Sequence, residues 1–199
     1  MVTHLRHVGL AVPDLEVGIQ FYQDLGLESA TSQNRAILRC HGHDQDQIVL
    51  VEGPKRRLQY ICLGSSDERF QALQARIEAE KKIVGPPAEI PGDGIWCLDP
   101  DGICLNIVVA TPADSLGGPE TTAPGEPPAI NTPGRFNRIG QRAAPPRGRE
   151  NRPRRLGHIL QFTPDLKKKV WFYTEVLGFL LADRVGDALA FLYCKGGSD

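Results

Sequence analysis

HLRHVGLAVPDLEVGIQFYQDLGL, residues 4–27, and RRLGHILQFTPDLKKKVWFYTEVLGF, residues 154–179, are two copies of one motif. His7 aligns with His158, Pro13-Asp14 with Pro164-Asp165, and Phe21-Tyr22 with Phe172-Tyr173, each pair 151 residues apart. One extra residue in the second copy then brings Gly26 into line with Gly178. A repeat of this kind defines an architecture before any single residue does. The second copy runs out at Asp199, so a site built on both halves of its module is expected to be incomplete.

Each copy opens with a strand pattern. In the first, His7, Gly9 and Ala11 alternate with Val8, Leu10 and Val12, a period of two. Pro13-Asp14 breaks the strand, and Asp14 caps a helix with Leu15, Ile19, Tyr22 and Leu25 on one apolar face. Gly26 ends that helix as the residue past its C-cap. Two short strands follow, RAILRC at 35–40 and QIVLVEG at 47–53.

The same grammar recurs between the two copies. RLQYICLG, 57–64, reads as a strand, and Ser65 or Ser66 caps a helix over 67–82 with Phe70, Leu73 and Ile77 on one face. GIWCLDPDGICLNIVVA, 94–110, reads as a hairpin turning at Asp99-Pro100-Asp101-Gly102. The reading is α+β: repeated βαβββ modules, two of them paired into an N-terminal open barrel over residues 1–110, and a third, partial module over 155–199. Residues 111–154 lose all hydrophobic periodicity and are rich in Pro, Gly and Arg, the composition of a linker. Arg147, Arg149, Arg152, Arg154 and Arg155 have no aromatic residues between them, so they read as a solvated, basic linker rather than a nucleic-acid surface.

Composition narrows the function classes. A net charge of −1 carries no electrostatic footprint for nucleic acid. No apolar run approaches the ~18 residues of a membrane span, and the N-terminus mixes charged and apolar residues instead of segregating them. A cytoplasmic protein is expected. Five cysteines, an odd number with no CxxC, read as buried free thiols rather than a disulfide or zinc framework.

The layout resembles the vicinal-oxygen-chelate superfamily, whose βαβββ modules pair into open barrels around a metal. The residues that carry this are the HVGLAVPDL and GHILQFTPDL openings, the FYQDLGL and FYTEVLGF helix ends, and the DPDGICLNI hairpin. Within it the chain is most similar to type I extradiol ring-cleavage dioxygenases, on GRFNRIGQRAAPP in the linker, RRLGHILQ after it and YICLGSSDE in the second module. That resemblance implies four modules, of which the N-terminal pair holds no metal and the C-terminal pair holds Fe(II). It implies a catechol-type substrate and O2, and room for a homo-oligomer.

The resemblance also implies where ligands come from: the first strand of one module, the first strand of its partner, and the last strand of that partner. In the N-terminal pair these positions hold His7, Tyr60 and Asn106, one ligand of three, so this half is expected to be structural. In the third module His158 is the implied first Fe(II) ligand. Leu160 and Phe191 match pocket-facing positions near oxygen and ring. The family's acid/base histidine follows a strand ending in Cys and a glycine turn; here that stretch is FLYCKGGSD, so no catalytic residue is expected within this chain, and ring cleavage by residues 1–199 alone is not expected. His41 and His43 read as surface-loop histidines. The alternative reading is a non-catalytic ligand-binding or resistance-type protein that uses residues 1–110.

Overall fold

The computed structural model describes residues 1–112 except Gln33 and Glu89, Pro153, and residues 155–194. The linker segment 113–152 and the glycine turn after Cys194 lie outside the described residues.

The first module runs β1 (Val2–Val12), α1 (Leu15–Asp24), β2 (Leu27–Ser32), β3 (Arg35–Cys40) and β4 (Asp46–Glu52). The second runs β5 (Arg57–Ser65), α2 (Asp67–Ala79), β6 (Ile95–Leu98) and β7 (Cys104–Val109). All seven strands share one mixed sheet in the order β2-β3-β4-β1-β5-β7-β6. In both modules the first strand pairs parallel with the last, and the modules join through their first strands, β1 antiparallel to β5. The sheet is open; it does not close into a barrel. β2 is the strand the sequence pattern missed. LESATS has no apolar alternation, and it is held by its ladder to β3 instead. The second module lacks a full counterpart to β2: Ile83 makes only a single bridge to Cys97 there.

The alternation in β1 and β5 sorts side chains onto two faces. Val8, Ile61, Leu63, Leu105 and Ile107 face outward into a core closed by Leu73 and Ile77 of α2. Ala11, Tyr60, Cys62 and Trp96 face the other way and form a second cluster with Val51 and Ile90. α1 covers Leu27, Ala36, Leu38 and Leu50 with Leu15, Ile19 and Tyr22, while Leu25 stands half exposed.

The third module repeats the plan in part. Residues 155–163 form no helix or strand and join no sheet. α3 (Leu166–Trp171) follows, capped by Asp165, whose Oδ1 accepts from Lys168 N at 3.0 Å just as Asp14 Oδ1 accepts from Val17 N at 2.9 Å. α3 then widens into one π turn over Phe172–Val176 before β8 (Leu180–Val185) and β9 (Leu189–Tyr193) form a separate hairpin. A π turn holds one more residue than an α turn. It is where the extra residue of the second copy goes, after which Gly178 takes a positive φ of 83°, matching 92° at Gly26.

This end of the helix docks on the core. Phe172, Tyr173, Val176 and Leu177 are buried in the outer core beside Val2, Leu73 and Ile77. Their counterparts are not: Phe21 is 58% exposed against 1% for Phe172, and Leu25 50% against 0% for Leu177. Val2 N donates to Leu177 O at 3.0 Å, and Arg76 Nη1 to Glu175 O at 3.3 Å, so backbone contacts also seat the third module on the first two.

Candidate functional site

The inner face of the N-terminal pair brings the expected ligand positions together but commits them to one another. Register places His7 opposite Cys62, and Cys62 opposite Asn106, in one row across β1, β5 and β7. Tyr60 lies across Gly9, where a Cβ would sit 2.0 Å from the Tyr60 ring, so glycine is what lets the ring lie flat against β1. From there the Tyr60 hydroxyl shares a 3.1 Å hydrogen bond with His7 Nε2. Cys62 Sγ donates to Asn106 Oδ1 at 3.3 Å, and Asn106 Nδ2 to the Asp93 carbonyl at 2.9 Å. Tyr60 in turn packs edge-on against Trp96, ring centres 5.2 Å apart.

Burial sets the charge states of this row. It lowers the His7 pKa to about 4, with the charge of Asp46 partly opposing, so the imidazole is neutral at pH 7. It pushes the Cys62 thiol up to about 12 and the Tyr60 hydroxyl well above its ordinary value. A neutral imidazole is a competent metal ligand, but its neighbours here are a protonated phenol and thiol and an amide already bonded at both ends. No group of three His, Cys, Asp or Glu side chains able to hold a metal ion occurs among the described residues. The sequence reading found His7, Tyr60 and Asn106 and missed Cys62, which only the strand register puts between them.

The third module presents the opposite situation. Leu156, Ile159 and Gln161 turn toward the core, while His158, Leu160 and Phe162 turn outward. His158 is exposed and makes no hydrogen bond or ion pair among the described residues. Leu160 is 69% and Phe162 90% exposed. In the repeat these three correspond to His7, Gly9 and Ala11, the inner face of β1. Small residues covered by Tyr60 in the first copy are thus large, uncovered apolar residues in the third. Phe162 was not singled out from sequence, although the two-residue step from Leu160 reaches it. Phe191 is half exposed on β9, on the face it shares with Leu189 and Tyr193. His41 is exposed and pairs with Glu28 at 2.5 Å, an interaction within the loop and strand edge.

A family model described as the Glyoxalase/Bleomycin resistance protein/Dioxygenase superfamily matches residues 4–107 and 155–197, the three modules without the segment between them. The chain belongs to this superfamily. Among curated superfamily relatives, it is 32% identical over 204 residues to metapyrocatechase 2 of Cupriavidus necator, covering all of this chain and 59% of that protein. It is 26% identical to biphenyl-2,3-diol 1,2-dioxygenase of Pseudomonas sp. strain KKS102, covering 98% of this chain and 65% of that one. The Mn(II)-bound glyoxalase from Novosphingobium aromaticivorans shares the fold with a TM-score of 0.71 at 27% identity, over 97% of this chain and 58% of that one. The chain therefore spans about three-fifths of the length of these superfamily members. No helix among the described residues is long and apolar enough to cross a membrane.

Proposed function

We propose that this chain forms the structural N-terminal pair and the first ligand-bearing module of an extradiol-type dioxygenase, which opens a catechol-type diol with O2 at an Fe(II) centre. The observation that carries this is His158: it sits at the repeat position of His7, in a segment whose neighbouring outward side chains, Leu160 and Phe162, are apolar and uncovered. The names of the two curated relatives support the reaction class.

The described residues do not complete a site for the metal: His158 brings one imidazole, and Fe(II) sites of this chemistry use two His and a carboxylate. When bound, Fe(II) supplies Lewis acidity and a place for O2. The chain's own contribution would be the His158 imidazole and apolar surface. Leu160, Phe162 and Phe191 would supply apolar side chains toward the metal and an aromatic ring once the site is complete.

The experiment is metal analysis of the protein purified from its natural source, with and without His158→Ala. Iron in near-stoichiometric amount, reduced about tenfold or more by the substitution, together with oxygen-dependent yellowing of a catechol solution, supports the reading. Unchanged iron content in the variant removes His158 from the ligand set.

A second reading has one observation in its favour. A cavity of about 580 Å³ opens beside β6, lined by Phe70, Ile83, Val84, Trp96 and Val108. Under this reading residues 1–110 bind an apolar ligand without chemistry. Ligand binding that survives metal removal and His158→Ala distinguishes it from the first.

A further inference from the structure

Residues 155–163 reach His158 without a single sheet hydrogen bond, so side chains must set where that segment lies. Two ties do so. At one end Leu156 N donates to Gln47 Oε1 at 2.6 Å, which fastens the segment to β4. At the other end Gln161 Nε2 donates to the Tyr173 hydroxyl at 3.3 Å, and that hydroxyl donates to Asp99 Oδ2 at 3.3 Å. His158 lies between them.

We propose that Asp99 is a positioning residue for the His158 segment, acting through Tyr173 and Gln161. Asp99 is fully buried, and its own place is over-determined. Its Oδ1 accepts from Asp101 N and Ile103 N, both at 2.9 Å, which shapes the 99–102 turn. Its Oδ2 receives Lys169 Nζ at 2.6 Å, and the same ammonium donates to Asp101 Oδ2 at 2.9 Å. Lys169 is itself buried. Burial works against ionisation of Asp101, but the hydrogen bond from Lys169 holds its carboxyl below the ordinary value.

The repeat shows that this cluster is not part of the module's own fold. At the positions of Gln161, Thr163 and Lys169 the first copy carries Leu10, Val12 and Gly18, which have no polar side chain; only Tyr22 is kept. The polar residues appear only where a segment has to be steered by the turn of a neighbouring module. The consequence for iron rests on the proposed ligand role of His158; the geometry does not.

The test is chymotrypsin cleavage of the folded 199-residue chain after Leu160 and Phe162, followed by mass spectrometry, with cleavage after Tyr60 and Trp96 as the measure of global unfolding. Proteolysis of this kind tracks the population of the locally open state. Tyr173→Phe keeps the ring and removes the relay. It is expected to speed cleavage at 160 and 162 about fivefold or more, with little change at 60 and 96. Gln161→Leu, the first copy's residue, is expected to do the same, and serves if Tyr173→Phe fails to fold. The double variant should be no faster than either single one, because both remove the same connection. Rates within twofold of the parent for both single variants, equal acceleration at all four sites, or multiplying effects in the double variant overturn the proposal. No metal enters this measurement, so a failed ligand assignment, read from iron content, leaves it standing.

Discussion

Lys169 Nζ lies 2.6 Å from Asp99 Oδ2, joining the helix of the third module to the hairpin turn of the second at a site where both side chains are almost without solvent contact. Removing one partner of such a pair strands the other charge in a poor solvent, typically at a cost of about 3–5 kcal/mol. Lys169→Met is therefore expected to lower unfolding free energy by about 3 kcal/mol in urea titration. Adding Asp99→Asn, which keeps the turn's acceptor and removes the stranded charge, should recover a large part of that loss. A Lys169→Met chain as stable as the parent would mean that the pair contributes nothing net.

Stability should fall with acid before the carboxylates titrate. His4 and His7 are both held at about 4 by burial, with Arg6 adding to the effect at His4. An unfolded histidine titrates near 6.5, so between pH 6.5 and 4 the unfolded chain binds more protons than the folded one. Stability is full above the unfolded value and is lost as pH falls toward 4. Unfolding near pH 5 is expected to take up about two protons through these groups. His7→Gln should reduce that uptake by about one, read from the slope of unfolding free energy against pH. An unchanged slope would place the His7 titration elsewhere.

Two glycines make a controlled pair. At Gly9 a methyl group would run into the Tyr60 ring, and the ring cannot retreat without disturbing His7 and Trp96. Gly9→Ala is expected to cost about 2 kcal/mol, in the range of core overpacking. At Gly157, beside His158, a Cβ meets nothing. Gly157→Ala should stay within about 0.5 kcal/mol of the parent. Thermal unfolding of the two variants side by side checks both.

The thiols should be slow. Cys62, Cys97 and Cys194 are pushed up to about 12 by burial, and Cys40 and Cys104 are raised as well. Since the thiolate is the reactive form, native protein at pH 8 should react with a disulfide reagent at least about tenfold more slowly than the urea-unfolded chain. Cys104, only half buried, should be the first to react. Fast labelling of Cys62 in native protein would contradict the hydrogen bond to Asn106 and the closed row around it.

Much of this fold was legible because its signals are local. The aspartate caps, Gly26 and Gly178 after the first and third helices, and the DPDG turn stand where the sequence puts them, since each depends on a few neighbouring residues. The pairing of Cys62 with Asn106 was not legible, because a strand shifted by one residue would place Ile61 there instead. Lys169 was hidden for another reason. It is the last of three lysines, a run that reads as a solvated helix face, and only the docking of the third module turns one of them inward. The repeat aligns His158 with His7; the uncovered Phe162 beside it became visible only with exposure in hand.

The single π turn at Phe172–Val176 carries a lesson about duplicated modules. The inserted residue is taken up as a wider turn, and Phe172, which precedes it at unchanged spacing from Phe21, is already buried. Two stretches that spell nearly the same motif can thus meet different surroundings. Leu25 looks at water and Leu177 at a core. The second module's Leu73 and Ile77, standing against it, give the third copy a neighbour that the first copy's helix never meets.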